Sequence, residues 1–421
     1  MHLFRSAMPY LFALIAGLSQ ASHAQVLQIQ GSDLPGLLGQ PSAIYTLFAV
    51  KDGHLDPIPH QWLEYSNEGF PYFKSDDSTT AAGDRNRIDA SDLLLLRKED
   101  AGDKLTTVPT EQVTGEITIA LPEGPRYAYV VKNAYRQATQ RYVKFDQSKM
   151  VIKSTDYALY FDSKNMLIWN DFFYRGYIGP SGQRESILDT LKIRLSAGLF
   201  RENSRITLSN DNLDPKIEEI IEGPLAWQIY ATTTLSVARI PVLKIRNYFL
   251  VMPQQTDIYA RFTLPTIAKT VLQRPSVSIS LDGNQLYGGK LITSWTKDLV
   301  AITDGKMSQN EKDMVGTPMS GKNWLWFGTG RGFDLLAQLD FRQGFEAPAR
   351  LFYQDDSVLA NPPERFPGQL PNVGFSIDEI PIGKEFNFLT KLFFSADSDK
   401  LAPGTYAENT LRDNKISYRQ L

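Results

Sequence analysis

Trp227–Leu235 (WQIYATTTL) alternates polar and apolar side chains. A period of two, carried by β-branched and aromatic residues, marks a strand with one buried and one wet face. Lys244–Val251 (KIRNYFLV) and Ile258–Leu264 (IYARFTL) follow in the same style. Downstream lie Val277–Leu281 (VSISL) and Leu335–Phe341 (LLAQLDF). Upstream lie Leu191–Leu195 (LKIRL), Ala158–Phe161 (ALYF), Tyr127–Val131 (YAYVV), Glu116–Leu121 (EITIAL) and Ala43–Val50 (AIYTLFAV). Each run is short and bounded by Gly, Pro, Asp or Asn, and 29 glycines and 24 prolines supply the turns. Helical spacing is scarce; Pro215–Glu222 (PKIEEIIE) is the best short helix candidate. The pattern predicts an all-β protein.

The segment from Tyr135 to Asp156 is basic, polar and poorly patterned. It divides a small N-terminal β-domain, 25–145, from a large antiparallel β-sandwich, 146–421. The alternative is one continuous unit in which the first segment docks on the second.

Of 421 residues, 44 are Lys or Arg, 47 are Asp or Glu, and none is cysteine. Near-neutral charge gives no global electrostatic case for nucleic acid. The missing cysteines exclude disulfides, thiol catalysis and thiolate zinc sites. Met1–Ala24 is expected to be a cleaved signal: Arg5 is its positive region, Tyr10–Leu18 its apolar stretch, and Ser22-His23-Ala24 its small-residue end. That apolar run is too short to span a bilayer, and no later one is long enough. The expected location is periplasmic or secreted. Of the four histidines, only His54 and His60 lie beyond residue 24. A histidine-based triad or metal centre therefore depends on these two.

Three groups of residues are candidate sites. Asp76–Asp92 (DDSTTAAGDRNRIDASD) crowds hard oxygen ligands, with Asp84, Asn86, Asp89 and Asp92 as the expected ligands of a structural calcium. It lacks the central Asp-Gly and the position-twelve glutamate of an EF-type loop, so an acidic surface loop leading into a buried strand, Leu93–Leu96, is the other reading. The second group is aromatic: Trp169, Asn170, Asp171 and Arg175 in WNDFFYRGY, with Trp324, Trp326 and Arg331 in WLWFGTGR. Rings beside polar groups suit a sugar surface. The competing reading is core packing, since a Trp-x-Trp pair shares one sheet face. The third group, the doublets Glu218-Glu219, Asp355-Asp356 and Asp76-Asp77, carries no catalytic spacing, because neighbours on a strand point apart.

Ile58-Pro-His-Gln-Trp62, Asp89-Ala-Ser-Asp-Leu-Leu-Leu-Leu96, Glu99-Asp-Ala-Gly-Asp103 and Ile221-Glu-Gly-Pro-Leu225, the last running into Trp227–Leu235, occur in this order. The series resembles secreted proteins of sugar-degrading bacteria whose N-terminal segment leads into a galactose-mutarotase-like supersandwich. The resemblance covers residues 55–265 and departs at Asp92-Leu93, where a glutamate is missing. It implies a β-supersandwich with an exposed concave face, in a class that often handles carbohydrate. Mutarotase-type catalysis uses a histidine with a glutamate in the large sandwich. No histidine follows His60, so no catalytic residue carries over.

Three functions follow from these observations. One is an exported protein that binds carbohydrate or another envelope component. Another is a polysaccharide lyase or hydrolase working through Tyr, Arg and carboxylates. The last is an envelope assembly partner acting through a protein interface, for which the charged tail Asp397–Leu421 is a candidate arm.

Overall fold

The computed structural model describes residues 26–106, 111–237, 240–296, 298–342, 346–358, 370–396, 401–412 and 415–421. The expected signal segment lies outside them. The protein is all-β: its strands form five antiparallel sheets, with two short α-helices, Gln309–Gly316 and Pro403–Thr410, among the described residues. No described helix is long and apolar enough to cross a membrane. Every alternating run quoted above falls on a strand.

A small sandwich forms first. Leu93–Arg97 sits between Val26–Gln30 and His60–Leu63 in a three-stranded sheet. It packs on a five-stranded sheet ordered Lys415–Gln420, Val113–Ala120, Arg126–Lys132, Tyr45–Lys51, His54–Pro57. Four consecutive leucines are unusual for a strand with a wet face, and here both faces are dry. Leu94 and Leu96 join the small sandwich core with Leu47, Ile117 and Val130. Leu93 and Leu95 turn the other way, onto Leu225, Ala226, Leu250 and Met252 of the large sheet. The three-stranded sheet thus contributes one face to each of these two clusters. The last described strand, Lys415–Gln420, returns from the far end of the chain to complete the five-stranded sheet beside Val113–Ala120.

The main core lies between larger sheets. One has nine strands, in the order Leu213–Glu222, Trp227–Val237, Ile240–Val251, Gln255–Thr263, Glu385–Ser395, Asp334–Phe341, Trp324–Gly328, Lys290–Thr293, Ala301–Ile302. Against it stands a five-stranded sheet of Arg201–Leu208, Leu188–Leu199, Leu272–Gly283, Asn372–Ile377 and Ala349–Gln354. A four-stranded sheet of Trp169–Tyr174, Tyr157–Phe161, Val151–Ser154 and Val143–Asp146 adds its inner face to the same core.

The expected helix at Pro215–Glu222 is instead part of the edge strand Leu213–Glu222. It pairs with Trp227–Val237 from Leu213↔Leu235 to Glu222↔Trp227, with a bulge between Ile217 and Glu219. Ladder pairing against a long neighbour outweighs a weak local helical preference.

Candidate functional site

The nine-stranded sheet sends Ile229, Ala231, Phe249, Val251, Ala260 and Phe262 into the main core. Its opposite face follows from the register. Gln228, Tyr230 and Thr232 lie beside Leu250, Tyr248 and Arg246. Next come Asp257, Tyr259 and Arg261, then Lys391, Leu389 and Asn387. Gln338 stands opposite Lys391, and Asp340 opposite Leu389. This face is polar and aromatic; the three-stranded sheet packs on it at Leu250, and two further parts of the chain cover its ends.

One cover is the loop Ser66–Ala81. Phe70 stacks on Tyr248 with centroids 5.2 Å apart and meets Tyr259 edge-on at 6.2 Å. The guanidinium groups of Arg261 and Arg342 lie 5.2 and 4.8 Å from the Phe70 centroid. Phe73 stacks on Tyr230 and Tyr248. Asp76, buried beneath them, accepts from the Tyr248 hydroxyl at 2.6 Å, the Tyr230 hydroxyl at 3.2 Å and the Ser78 hydroxyl at 2.6 Å. Arg246 Nε lies 3.5 Å away. Burial pushes the Asp76 carboxyl up, but donors from Ser78, Tyr248 and Thr79 outweigh it and hold the group below its ordinary value.

The other cover is the helix Pro403–Thr410. Its Tyr406 and Ala407 pack on Trp324, Trp326, Leu336 and Phe393.

Between the covers a strip stays partly exposed, with Tyr259, Leu389, Lys391, Gln338 and Asp340 along it. Asp257 lies at its floor, 0% exposed, accepting from Gln255 Nε2 at 2.7 Å and Gln28 Nε2 at 3.1 Å. Burial pushes its carboxyl up, against the Lys391 ammonium and the two amides. Burial also raises Asp340; Lys391 pulls it down, and the Asp257 charge pushes it further up. One lysine thus serves two reluctant carboxylates. The Tyr259 hydroxyl lies 3.1 Å from that of Tyr65, and burial holds both phenols protonated. The strip presents ammonium, amide, phenol and carboxyl groups together. It can both donate to and accept from hydroxyl-rich ligands.

The acidic loop comes together differently from expectation. Glu64, Asp89 and Asp92 bring carboxylate oxygens within 4.8 Å of one another and could hold a cation. Asp84 is exposed and pairs loosely with Arg87 at 3.9 Å. Asn86 gives its backbone N–H to Glu64 Oε1 at 2.9 Å. The structure therefore groups Asp89 and Asp92 with Glu64, which lies outside the Asp76–Asp92 stretch. Asp92 also caps its neighbours, accepting from the N–H of Tyr65 at 3.2 Å and of Asp89 at 3.0 Å. Burial pushes its carboxyl up to about 7, helped by the charges of Glu64 and Asp89.

The aromatic candidates are split apart. Trp169 is buried in the main core, where it helps line an apolar cavity of about 40 Å³ with Phe172, Phe327 and Phe394. A space that holds about one water does not seat a sugar ring. Asn170 and Asp171 are half-buried on the same strand, and Arg175 is exposed past its end. Trp324 and Trp326 share a face, as the spacing requires, and it is the face sealed by Pro403–Thr410. Arg331 is elsewhere, over the Tyr177 ring at 5.8 Å and donating to the Gln285 carbonyl at 3.0 Å. His54 is exposed. His60 is enclosed with its ring nitrogens 3.2 Å from the carbonyls of Ile58 and Tyr45, and burial lowers its pKa.

Asp257, Tyr259, Asp340 and Lys391 were not singled out from the sequence. The signal was present in IYARFTL and its flank, where Asp257, Tyr259 and Arg261 recur at a period of two. That pattern also describes an ordinary solvated face. Only the register across three strands gathers these groups.

No protein-family model matches the chain, and no curated protein matches it in sequence. Among solved structures, the chain is similar to an α-mannosidase from Enterococcus faecalis V583, at 8% identity and a TM-score of 0.45, over 94% of this chain and 43% of that one. It is similar to an α-N-acetylgalactosaminidase from Bifidobacterium bifidum, at 11% identity and 0.37, over 62% and 38%. It is also similar to a heparan sulfate lyase from Pedobacter heparinus, at 9% identity and 0.30, over 63% and 37%. The chain spans less than half the length of each of these proteins.

Proposed function

We propose that the chain is an exported β-sandwich protein of the galactose-mutarotase-like kind, and that it binds carbohydrate on the open strip of its nine-stranded sheet. One observation carries this reading. The polar face is covered at both ends, and Lys391, Asp340, Gln338 and Tyr259 remain accessible between the covers. Thermal unfolding with a panel of neutral and acidic oligosaccharides tests it. A ligand of the folded state adds about 2.7 kcal/mol at a hundred times its dissociation constant. The expected result is a shift with one glycan class that Lys391→Met and Asp340→Asn abolish. No shift with any oligosaccharide sinks the reading and moves attention to an envelope protein partner. Export has its own check: N-terminal sequencing of the protein recovered from cells is expected to begin at Gln25.

A second reading, hydrolase or lyase, is favoured by the two carboxyls held above their ordinary range beside one lysine. Asp257 is sealed from solvent, whereas Asp340 is reachable and suited to protonate a leaving oxygen. Release of reducing or unsaturated ends, lost in Asp340→Asn while glycan binding persists, would select this reading over binding alone.

A further inference from the structure

The four-stranded sheet has a second face, turned away from the core. Phe145, Ile152, Leu159 and Phe172 align across its strands and face the core side. The neighbouring row, Lys144↔Lys153↔Ala158↔Phe173, faces outward, and the row Asp146↔Val151↔Tyr160↔Asp171 extends that face, with Val151 buried. Tyr160 and Phe173 are half-buried and meet edge to face, with centroids 6.0 Å apart. The Arg184 guanidinium lies 5.5 Å from the Phe173 centroid. Lys144, Lys153 and Arg184 are exposed, and none makes an ion pair among the described residues.

Lys144 stands directly opposite Lys153. Like charges facing each other across an antiparallel pair destabilise the sheet. The sequence nevertheless places them there, with a third cation and two aromatic rings on the same face. Asp146, paired with Lys149, and Asp171 stand on the same face, and no carboxylate among the described residues forms an ion pair with these three cations. Rings that receive flat sugar faces and cations that receive carboxylates form one surface here.

We propose that the outer face of the four-stranded sheet, built on Lys144, Lys153, Phe173, Tyr160 and Arg184, is a docking platform for a uronic-acid polysaccharide. It is separate from the open strip of the nine-stranded sheet and does not depend on that strip binding anything. The test is gel electrophoresis of the folded protein through polygalacturonate, with a neutral dextran gel as reference. Wild type is expected to be retarded by polygalacturonate alone, and raising salt to about 0.5 M is expected to abolish the effect, because screening removes exposed attractions. The double variant Lys144→Ala/Lys153→Ala is expected to lose the retardation several-fold, and Phe173→Ala to weaken it with the charges intact. Lys269→Ala, which removes an exposed cation belonging to neither surface, is expected to leave it unchanged. All these side chains are at least partly exposed, so unchanged melting curves will certify the variants. No retardation of wild type, or equal retardation of wild type and the double variant, overturns the proposal. Equal retardation of Phe173→Ala and wild type also overturns it, by reducing the platform to a bare charge patch.

Discussion

Gln61 joins two of the motifs that made the sequence look familiar. Its Oε1 accepts from the N–H of Ala226 at 2.9 Å and of Leu225 at 3.2 Å, and its Nε2 donates to the Ala226 carbonyl at 3.2 Å. The Ile58–Trp62 segment thus grips the segment after Glu222-Gly-Pro. Gly223 is required by this contact, since a Cβ there would lie 2.0 Å from Gln61 Oε1. Gln61→Ala leaves two buried N–H groups unpaired. It is expected to cost about 1–3 kcal/mol in urea unfolding. At the same scale, Asp92 gives the fold an unusual pH response. Its folded value, about 7, lies above the 3.8 of the free group. Its contribution to stability is therefore complete below pH 3.8 and is lost as pH rises through 7. Melting temperatures are expected to reflect this loss between pH 3.8 and about 7, and Asp92→Asn to flatten that part of the profile. Calcium titration at the upper end separates the ways of neutralising Glu64, Asp89 and Asp92. A rise in melting temperature places a cation there, whereas no change leaves the proton as the neutralising species. Asp76 has the opposite sign: its contribution is present above 3.8 and lost as pH falls further.

Among the elements, the loop Ser66–Ala81 was the least readable from sequence. Its Phe70 and Phe73 are almost fully buried, yet no periodicity marks them, because their partners Tyr230 and Tyr248 lie more than 150 positions away. Phe70→Ala or Phe73→Ala is expected to cost about 3–5 kcal/mol. Either is also expected to open the loop to proteolysis at its exposed Lys74, read as new cleavage within residues 66–82. The strands of the large sheet were legible because alternation is a local property, and the sheet preserves it. The run Leu93–Leu96 was legible as a buried strand, but its second dry face was not, since that needs the large sheet beside it. PKIEEIIE misled because three isoleucines spaced by three and one suit a helix face as well as a bulged edge strand. The aromatic sites misled for a related reason. Ring-rich stretches mark burial as readily as binding, and Trp169, Trp324 and Trp326 are all buried. The groups now placed on the open strip come from three separate strands, so no window of sequence contains them.

At the scale of the whole molecule, the three-stranded sheet packs on both sides, and a distant strand closes the small sandwich. Tyr418 packs near Gly36 and Gly115, and Arg419 reaches Glu116 at 3.1 Å. Deleting residues 413–421 removes the strand Lys415–Gln420 from the edge of the small sandwich. The expected result is a lower melting temperature with far-UV signal largely retained. Unchanged stability would mean that the returning strand decorates a sandwich already complete without it.

The returning strand also has a consequence in time. While the polypeptide is being made, Val113–Ala120 exists long before Lys415–Gln420 does. For that interval the strand, which carries Ile117 and Ile119, lies at an open edge, and an open edge recruits whatever strand arrives first. Any strand that reaches that edge early competes with Lys415–Gln420 for it.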